Sequence, residues 1–392
     1  MNRADLSRHL TALALLAPLL GFLLAFFVWP LVQVLGESVS DHVIGRTLPV
    51  TVQAIAPWDR QSPPTELMKG ALVQDLRQLT DKQAQGDLVR RLNSAQAGFR
   101  TLMMKTTRAL EQADGPVVLT EIDPRWGEVP YWRAIADAAA PYTDRHMLAA
   151  LDLTRDASGD LAAMPADSSA HRAILGRTFW VAGLVTLACL AIGLPYAMLA
   201  ASVSGWKRQA LLAAVLLPLW TSLLVRTAAW YILLQEQGLV NDLLRALHLI
   251  DGPVQLIFNR LGVVIAMTHV LLPFMVLPIY SVLLSVPKNL MPAAASLGAG
   301  PIRAFLRVLL PLSLRGVASG GLLVFMAAIG YYITPALIGG AKDQMISSVI
   351  AFYATGSANW NMAAALGLVL LTATLALYAV YGWLSADRTA RG

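Results

Sequence analysis

Six long apolar runs punctuate this chain: Leu10 to Gly36, Thr178 to Gly205, Gln209 to Val225, Leu261 to Pro287, Gly316 to Ala341, and the apolar part of Gln344 to Ser385. A bilayer core of roughly 30 Å takes about 20 helical residues, so most of these suffice outright. The third reaches full length only by carrying Arg226 within it. Hydrophobic positions inside the runs are continuous and do not alternate, which predicts helices and not a barrel. The pattern predicts an all-α membrane protein with six transmembrane helices: one within residues 1–36 and a core of five within 172–392. Arg3 and Arg8 before the first run also fit a signal peptide, but an h-region is only about 7–15 residues and a clear small-x-small site is missing. The first helix is therefore read as retained.

Residues 37–171 follow a different pattern. Leu72, Leu76 and Leu79, then Leu88, Leu92, Ala95, Phe99 and Leu102, step by three and four, which lines one face of a helix. Two helices are expected here as a hairpin parted near Gln83 to Gly86, with a further short helix around Tyr131 to Ala140. Asp152 to Asp167, with Ser158, Gly159 and Pro165, reads as a turn-rich tether leading through Ser168 to the next span.

Composition agrees with the spans, since 14% of residues are charged and 56% hydrophobic, against about a quarter charged in soluble domains. The net charge of +6 conceals an asymmetry: Gly36 to His171 holds 14 Lys+Arg against 18 Asp+Glu, leaving −4 there and +10 elsewhere. With six alternating helices, Arg3, Arg8, Lys207, Arg208, Lys288, Arg303, Arg307, Arg315, Arg388 and Arg391 share one side. Arg172, Arg177, Arg245, Arg260 and Lys342 share the other. The positive-inside rule then predicts both termini in the cytoplasm and the 37–171 insertion outside. No basic–aromatic stripe accompanies the charge, so nucleic acid is not an expected partner. The single cysteine, Cys189, permits no intramolecular disulfide and no thiolate cluster.

Candidate chemistry is sparse. Arg226 is the one charge well inside an apolar run, and such a residue must be paired or wet. It fits a place on a translocation path or gate, and equally a structural contact to helix-end carbonyls. Glu236 stands ten residues on, where it would either snorkel to the interface or meet a cationic substrate. Trp220 and Trp230 flank Arg226, and Tyr331 with Tyr332 fall in the middle of the fifth run. Their ring faces could guide ammonium groups, or simply pack. His269 has no second ligand at metal spacing and reads as a hydrogen-bonded structural histidine. GGAKDQ at Gly339 to Gln344 lacks the spacing and the Ser/Thr of a phosphate loop. The chain is therefore not expected to hydrolyse nucleotide or bind a cofactor. No Asp/Glu/His chain crosses the runs as a proton-coupled pump would need.

Between the fourth and fifth runs lies MPAAASLGAGPIRAFLRVLLPLSLR, Met291 to Arg315. Phe305, Val308 and Leu309 fall on one side of its second half, Arg303 and Arg307 on the other, with Pro311 closing it. The segment reads as a helix–turn–helix held out of the bilayer. AAASLGA followed by FLRVLLPLS resembles the "EAA" loop of binding-protein-dependent ABC importer permeases, and most resembles the spermidine/putrescine branch. Similar blocks are LPLWTSLLVRTAAWYILL at Leu217 to Leu234, LLPFMVLPIYSVLLSVP at Leu271 to Pro287, and ITPALIGG at Ile333 to Gly340. Pro292 stands where the family carries Glu, while the family Gly is kept at Gly298.

That resemblance implies a type I ABC importer permease fold and a chain forming half of a pore in a bacterial inner membrane. It implies a separate ATP-using ATPase, a second permease subunit that is a copy or a paralogue, and a periplasmic substrate-binding protein. Residues 288–315 would be the coupling loop, meeting the ATPase through Pro292, Ala293, Ala294, Gly298, Ala299, Phe305, Leu306, Arg307 and Pro311. The implied substrate is a polyamine. Two other classes fit the bare pattern of spans: a membrane-anchored sensor, opposed by the lack of a cytoplasmic signalling domain, and a secondary transporter, opposed by the missing acidic relay.

Overall fold

The computed structural model describes residues 15–389 apart from 114, 157–158, 166–168 and 358. Arg3, Arg8, Arg391, the side chain of Arg388 and the residues Ser158, Asp167 and Ser168 of the expected tether lie outside the described residues. Two compact units emerge, Met1–Leu148 with Trp360–Ala365, and Ala149–Asn359 with Leu366–Gly392.

The first unit begins with α1 (Leu15–Glu37), whose apolar window has no part buried in the protein. Beyond it come α2 (Glu66–Gln78), α3 (Lys82–Ala95), α4 (Phe99–Gln112) and α5 (Val129–Ala138), the last being the short helix expected around Tyr131. The expected hairpin is thus three helices. Its first break falls before Gln83, because Asp81 starts α3 as an N-cap that accepts from the Gln83 N–H. A second break at Gly98 interrupts the Leu88-to-Leu102 periodicity. There φ is +99°, and an added Cβ would lie 3.0 Å from the Tyr131 hydroxyl; only glycine fits, so the turn falls where the apolar spacing runs on uninterrupted.

Aromatic packing closes this unit. Trp126, Trp132 and Phe99 are fully buried, with Phe99–Trp126 and Trp126–Trp132 centroids 6.2 and 5.8 Å apart in edge-on geometry. Such pairs add roughly 0.5–1.5 kcal/mol each beyond area burial. Both indole N–H groups are satisfied, Trp126 by Thr106 Oγ1 at 2.8 Å and Trp132 by the Trp126 carbonyl at 2.9 Å. Buried Asp75 caps the short helix Pro49–Ile55 from across the fold, accepting from the N–H groups of Val50 and Thr51 and from the Thr51 hydroxyl.

The second unit opens with a small antiparallel hairpin, β1 (Leu153–Arg155) and β2 (Leu161–Ala163), where the sequence reading has only a tether. Asp152 then caps α6 (His171–Ser202), accepting from the N–H groups of His171 and Arg172 at 2.9 and 2.8 Å. Burial opposes ionisation of Asp152, but those bonds hold its carboxyl below the usual carboxylate range. The remaining helices are α7 (Trp206–Trp220), α8 (Leu223–Leu233), α9 (Leu239–Ala246), α10 (Arg260–Ser285), α11 (Leu290–Ser296), α12 (Pro301–Gly330), α13 (Ile333–Ile338), α14 (Ile346–Gly356) and α15 (Trp360–Thr389).

Among the described residues five helices are long and apolar enough to cross a membrane, α1, α6, α10, α12 and α15, and a sixth if the bent pair α7 and α8 is counted as one. The long helices α6, α10 and α12 form the centre. α10 is the most enclosed, with 61% of its apolar window buried. Helix α12 presses so closely on it that a Cβ at Gly316 would lie 2.8 Å from the Ile279 Cα. In lipid, close packing of this kind supplies much of what holds helices together.

Two of the expected straight spans are broken. α7 and α8 meet at a 100° bend. Pro218 sits in a 3-10 turn over Leu217–Trp220, after which Thr221 and Ser222 are extended. In the fifth run the helix stops at Gly330, so Tyr331 and Tyr332 lie at the end of α12 and not in mid-span. The cause is Pro335: having no N–H, it cannot bond the carbonyl four residues back, which belongs to Tyr331. The Ser347 hydroxyl donates to that carbonyl instead, at 2.5 Å.

Candidate functional site

Two places gather the residues singled out by sequence. The first is the segment between α10 and α12. α11 ends in a left-handed turn at Gly298, φ +80°, with the Gly298 N–H on the Ala295 carbonyl at 2.9 Å and the Ala299 N–H on the Ala294 carbonyl at 3.0 Å. This is the glycine-terminated end that closes many helices. An added Cβ would meet nothing within 4 Å, so within this chain Gly298 is required for its backbone angle and not for room.

After the turn the chain runs through Pro311 without stopping, and Pro301–Gly330 is one helix. The expected stop at Pro311 is absent because a π-helical turn over Phe305–Leu309 absorbs the disruption, the Leu310 N–H reaching back to Phe305. Pro292, Ala293, Leu306, Arg307 and Pro311 are exposed, while Ala294, Ala299 and Phe305 are half-buried. The most exposed apolar residues are two that the sequence reading passed over, Leu297 at 89% and Ile302 at 76%. Their signal was available: both are bulky apolar residues set in the Gly- and Pro-rich stretch Leu297 to Ile302, at either side of the glycine turn.

The second place is the junction of the two broken spans. Thr227 of α8 and Thr334 of α13 share a buried hydrogen bond of 3.2 Å between hydroxyls. One turn along α8, Trp230 Nε1–H donates to His269 Nδ1 at 3.1 Å, with ring centroids 5.4 Å apart. That bond leaves the proton of a neutral His269 on Nε2. His269 is nine residues into α10, about 13 Å along the helix. Arg226 stands on α8 directly before Thr227 and one turn before Trp230. Its Nε and Nη1 are buried without a hydrogen-bond partner. The carbonyls of Tyr331 and Tyr332 accept from Ser347 and Ser348, the latter at 3.1 Å.

The fold therefore brings Trp230 onto His269 and ties the helix that carries Arg226 to α13 through Thr227. It does not bring in Trp220, 86% exposed at the bend, or Glu236, exposed in the turn after α8. Tyr332 is adjacent in sequence and half exposed. Thr227, Thr334, Ser347 and Ser348 were missed by sequence reading, since single hydroxyls in apolar runs have no periodic signal. Only Pro335, which strands the Tyr331 carbonyl, pointed to the need for such a donor. Helices α6 to α8 and α10 to α14 contain no Asp or Glu, and among the described residues Arg226 has no acidic partner.

The arrangement is one of apolar helices around broken segments, with an exposed amphipathic loop between two of them. Residues 193–389 match the family described as binding-protein-dependent transport system inner membrane component. The chain belongs to that family of ABC importer permeases, multi-pass inner-membrane subunits that form the pore and are not enzymes. Over 200 residues it is 36% identical to the spermidine/putrescine transport system permease protein PotB of Escherichia coli (strain K12), covering 51% of this chain and 72% of the relative. It is 32% identical over 220 residues to the inner membrane ABC transporter permease protein YdcU of the same organism, covering 53% and 70%. Among solved structures it is similar to a bacterial ABC transporter involved in the import of the acidic polysaccharide alginate, with TM-score 0.45, 19% identity, and coverage of 55% of this chain and 79% of the other.

Proposed function

We propose that this permease subunit forms half of a translocation path for a polyamine such as spermidine or putrescine, and couples it to a separate ATPase through residues 288–315. The observation that carries the coupling is the exposed apolar rim of that segment. Leu297 and Ile302, with Leu306 at 53%, project from a turn that the left-handed Gly298 fixes. Apolar groups placed so, with Arg303 and Arg307 beside them, suit a groove in a soluble partner better than water. Pro292 brings no carboxylate to that contact.

The substrate reading draws on the PotB relatives and on the aromatic rings of Trp230, Tyr331 and Tyr332 beside the broken helix ends. The complex on this reading holds this chain, a second permease that is a paralogue, two ATPase copies and a periplasmic substrate-binding protein. Both termini are cytoplasmic and the 37–171 insertion is periplasmic. ATP is used by the partner alone. Purification on this chain in mild detergent tests the proposal: a co-purifying ATPase and second permease are expected, lost on combined Leu297→Ser and Ile302→Ser substitution. Spermidine uptake by vesicles containing the complex tests the substrate. An ATPase that stays bound to the double variant would overturn the coupling surface.

A further inference from the structure

We propose that α9 lies flat in the membrane surface, with Leu239, Leu243 and Leu247 among lipid acyl chains just below the headgroups, and anchors there the end of the short helix α8. At 100° per residue the helix presents three faces. Val240 and Leu244, half-buried, pack on the core of the second unit, and neighbouring Asn241 is fully buried. Leu239 and Leu243, with Leu247 one turn on, make a second face, and each is more than half exposed. Asp242 and Arg245 make the third, exposed and paired with each other at 2.6 Å. These faces point roughly 110–130° apart. Such a disposition is what a helix needs when it meets protein, lipid and water at once.

The depth of α9 follows from α10. Asn241 Nδ2 donates to the carbonyls of Gln235 and Val254, at 3.0 Å each, and its Oδ1 accepts from the Val254 N–H at 2.9 Å. Val254 belongs to the segment that leads into α10, where Asn259 caps the helix by accepting from the Gly262 N–H at 2.9 Å. The 26 residues of α10 measure about 39 Å, more than the roughly 30 Å of hydrocarbon. This end of α10 therefore reaches the interface and holds α9 at that level. Exposed apolar residues continue on either side, Ile232 in the last turn of α8 and Leu261 in the first turn of α10. The leucine face thus prolongs the surface that the spans offer to lipid. Its chemistry also suits acyl chains better than a protein: docking surfaces are enriched in Tyr, Trp and Arg, and helix pairs in membranes in small residues, whereas this face holds leucine alone. The anchor supplies what length does not, since the 11 residues of α8 reach only about 16 Å.

The test uses the complex purified on this chain, carrying Cys189→Ala, in vesicles of phosphatidylethanolamine and phosphatidylglycerol. Leu239→Cys, Leu243→Cys and Asp242→Cys variants are each labelled with a small fluorophore. Quenching is read with iodide on both sides of the membrane, and with lipids that carry a nitroxide near the top or near the end of the acyl chain. At Leu239 and Leu243 the shallow nitroxide should quench about threefold more than the deep one, and iodide about threefold less than at Asp242, as an apolar face about 5–10 Å below the headgroups requires. The Asp242 label should respond to iodide and resist both lipids. Leucine-face labels as open to iodide as the Asp242 label would put the face in water. Labels shielded from iodide and from both lipids would put it under another protein subunit, and strongest quenching by the deep nitroxide would sink α9 into the hydrocarbon core. Each of these results would overturn the proposal. So would failure of both leucine variants to assemble, because lipid-facing leucines tolerate the change. The readout needs neither uptake nor ATP, so it stands or falls apart from the polyamine and coupling readings.

Discussion

Thr227 and Thr334 are joined by a buried hydrogen bond of 3.2 Å, and each belongs to the helix that follows a break in a membrane run. Thr227 has a second partner, the Leu223 carbonyl at 2.9 Å, whereas among the described residues no other side-chain bond anchors Thr334. Removing the two hydroxyls should therefore be unequal in effect. Thr227→Val strands the Thr334 hydroxyl and should cost about 1–3 kcal/mol, while the double Val variant should be less harmful than the sum of the singles. A double-mutant cycle on the thermal unfolding midpoint of the purified complex measures the coupling. Additive losses would show that the pair is not coupled.

Gly298 has φ +80° in open space, so the penalty for a side chain there is conformational. Gly298→Ala should cost about 1–2 kcal/mol locally. Gly298→Asn, which tolerates the left-handed region, should cost less. If the turn presents Leu297 and Ile302 to the ATPase, uptake per assembled complex should fall in the order Gly, Asn, Ala. Gly298→Asp should uncouple hydrolysis from uptake by putting an unpaired charge into the contact. Normal uptake by the Asp variant with the ATPase bound would remove this segment from coupling.

Asp75 is buried and holds three donors from the start of the Pro49–Ile55 helix. Asp75→Ala should destabilise the insertion by about 2–4 kcal/mol, because it leaves buried N–H groups without an acceptor. Protease digestion of the purified protein in detergent, followed by the appearance of cleavage within residues 49–112, measures it. Cleavage no faster than wild type would contradict the cap.

His146 is half-buried with its Nε2 enclosed; that burial first, and then the charges of Arg91 and Arg145, push its imidazole down to about 4. An unfolded histidine takes a proton near pH 6.5; the folded one does so only near 4. The unfolded state thus binds more protons across that window, and stability, full above pH 6.5, is lost as pH falls towards 4. Asp41, itself buried and paired with Arg91, offsets part of this effect. Proteolysis of the insertion should accelerate between pH 6.5 and 4, and His146→Gln should flatten the profile. An unchanged profile in that variant would assign the pH dependence elsewhere.

Ser94 is exposed on the insertion and Cys189 is buried in α6. In a Cys189→Ala background, a cysteine at Ser94 should react with a membrane-impermeant maleimide in cells whose outer membrane alone is opened. Labelling only after the inner membrane is breached would reverse the proposed topology.

What the sequence determined by itself was everything that follows from solvent and spacing. Long uncharged runs require lipid, which gave the membrane class; the Leu72 and Leu88 series gave helices in the insertion; the AAASLGA and FLRVLLPLS blocks gave the family. Breaks and pairings were decided by tertiary structure, because they depend on where a displaced backbone group finds its partner. Asp81 and Gly98 divide three helices where periodicity sees two. Pro335 strands the Tyr331 carbonyl, and Ser347, distant in the same run, takes it up. Arg226 was conspicuous as a charge in an apolar run, but its helix is turned at Thr221–Ser222 and tied to α13 by the Thr227–Thr334 bond. Neither has a periodic signature, since each is a contact between residues that only folding brings within reach.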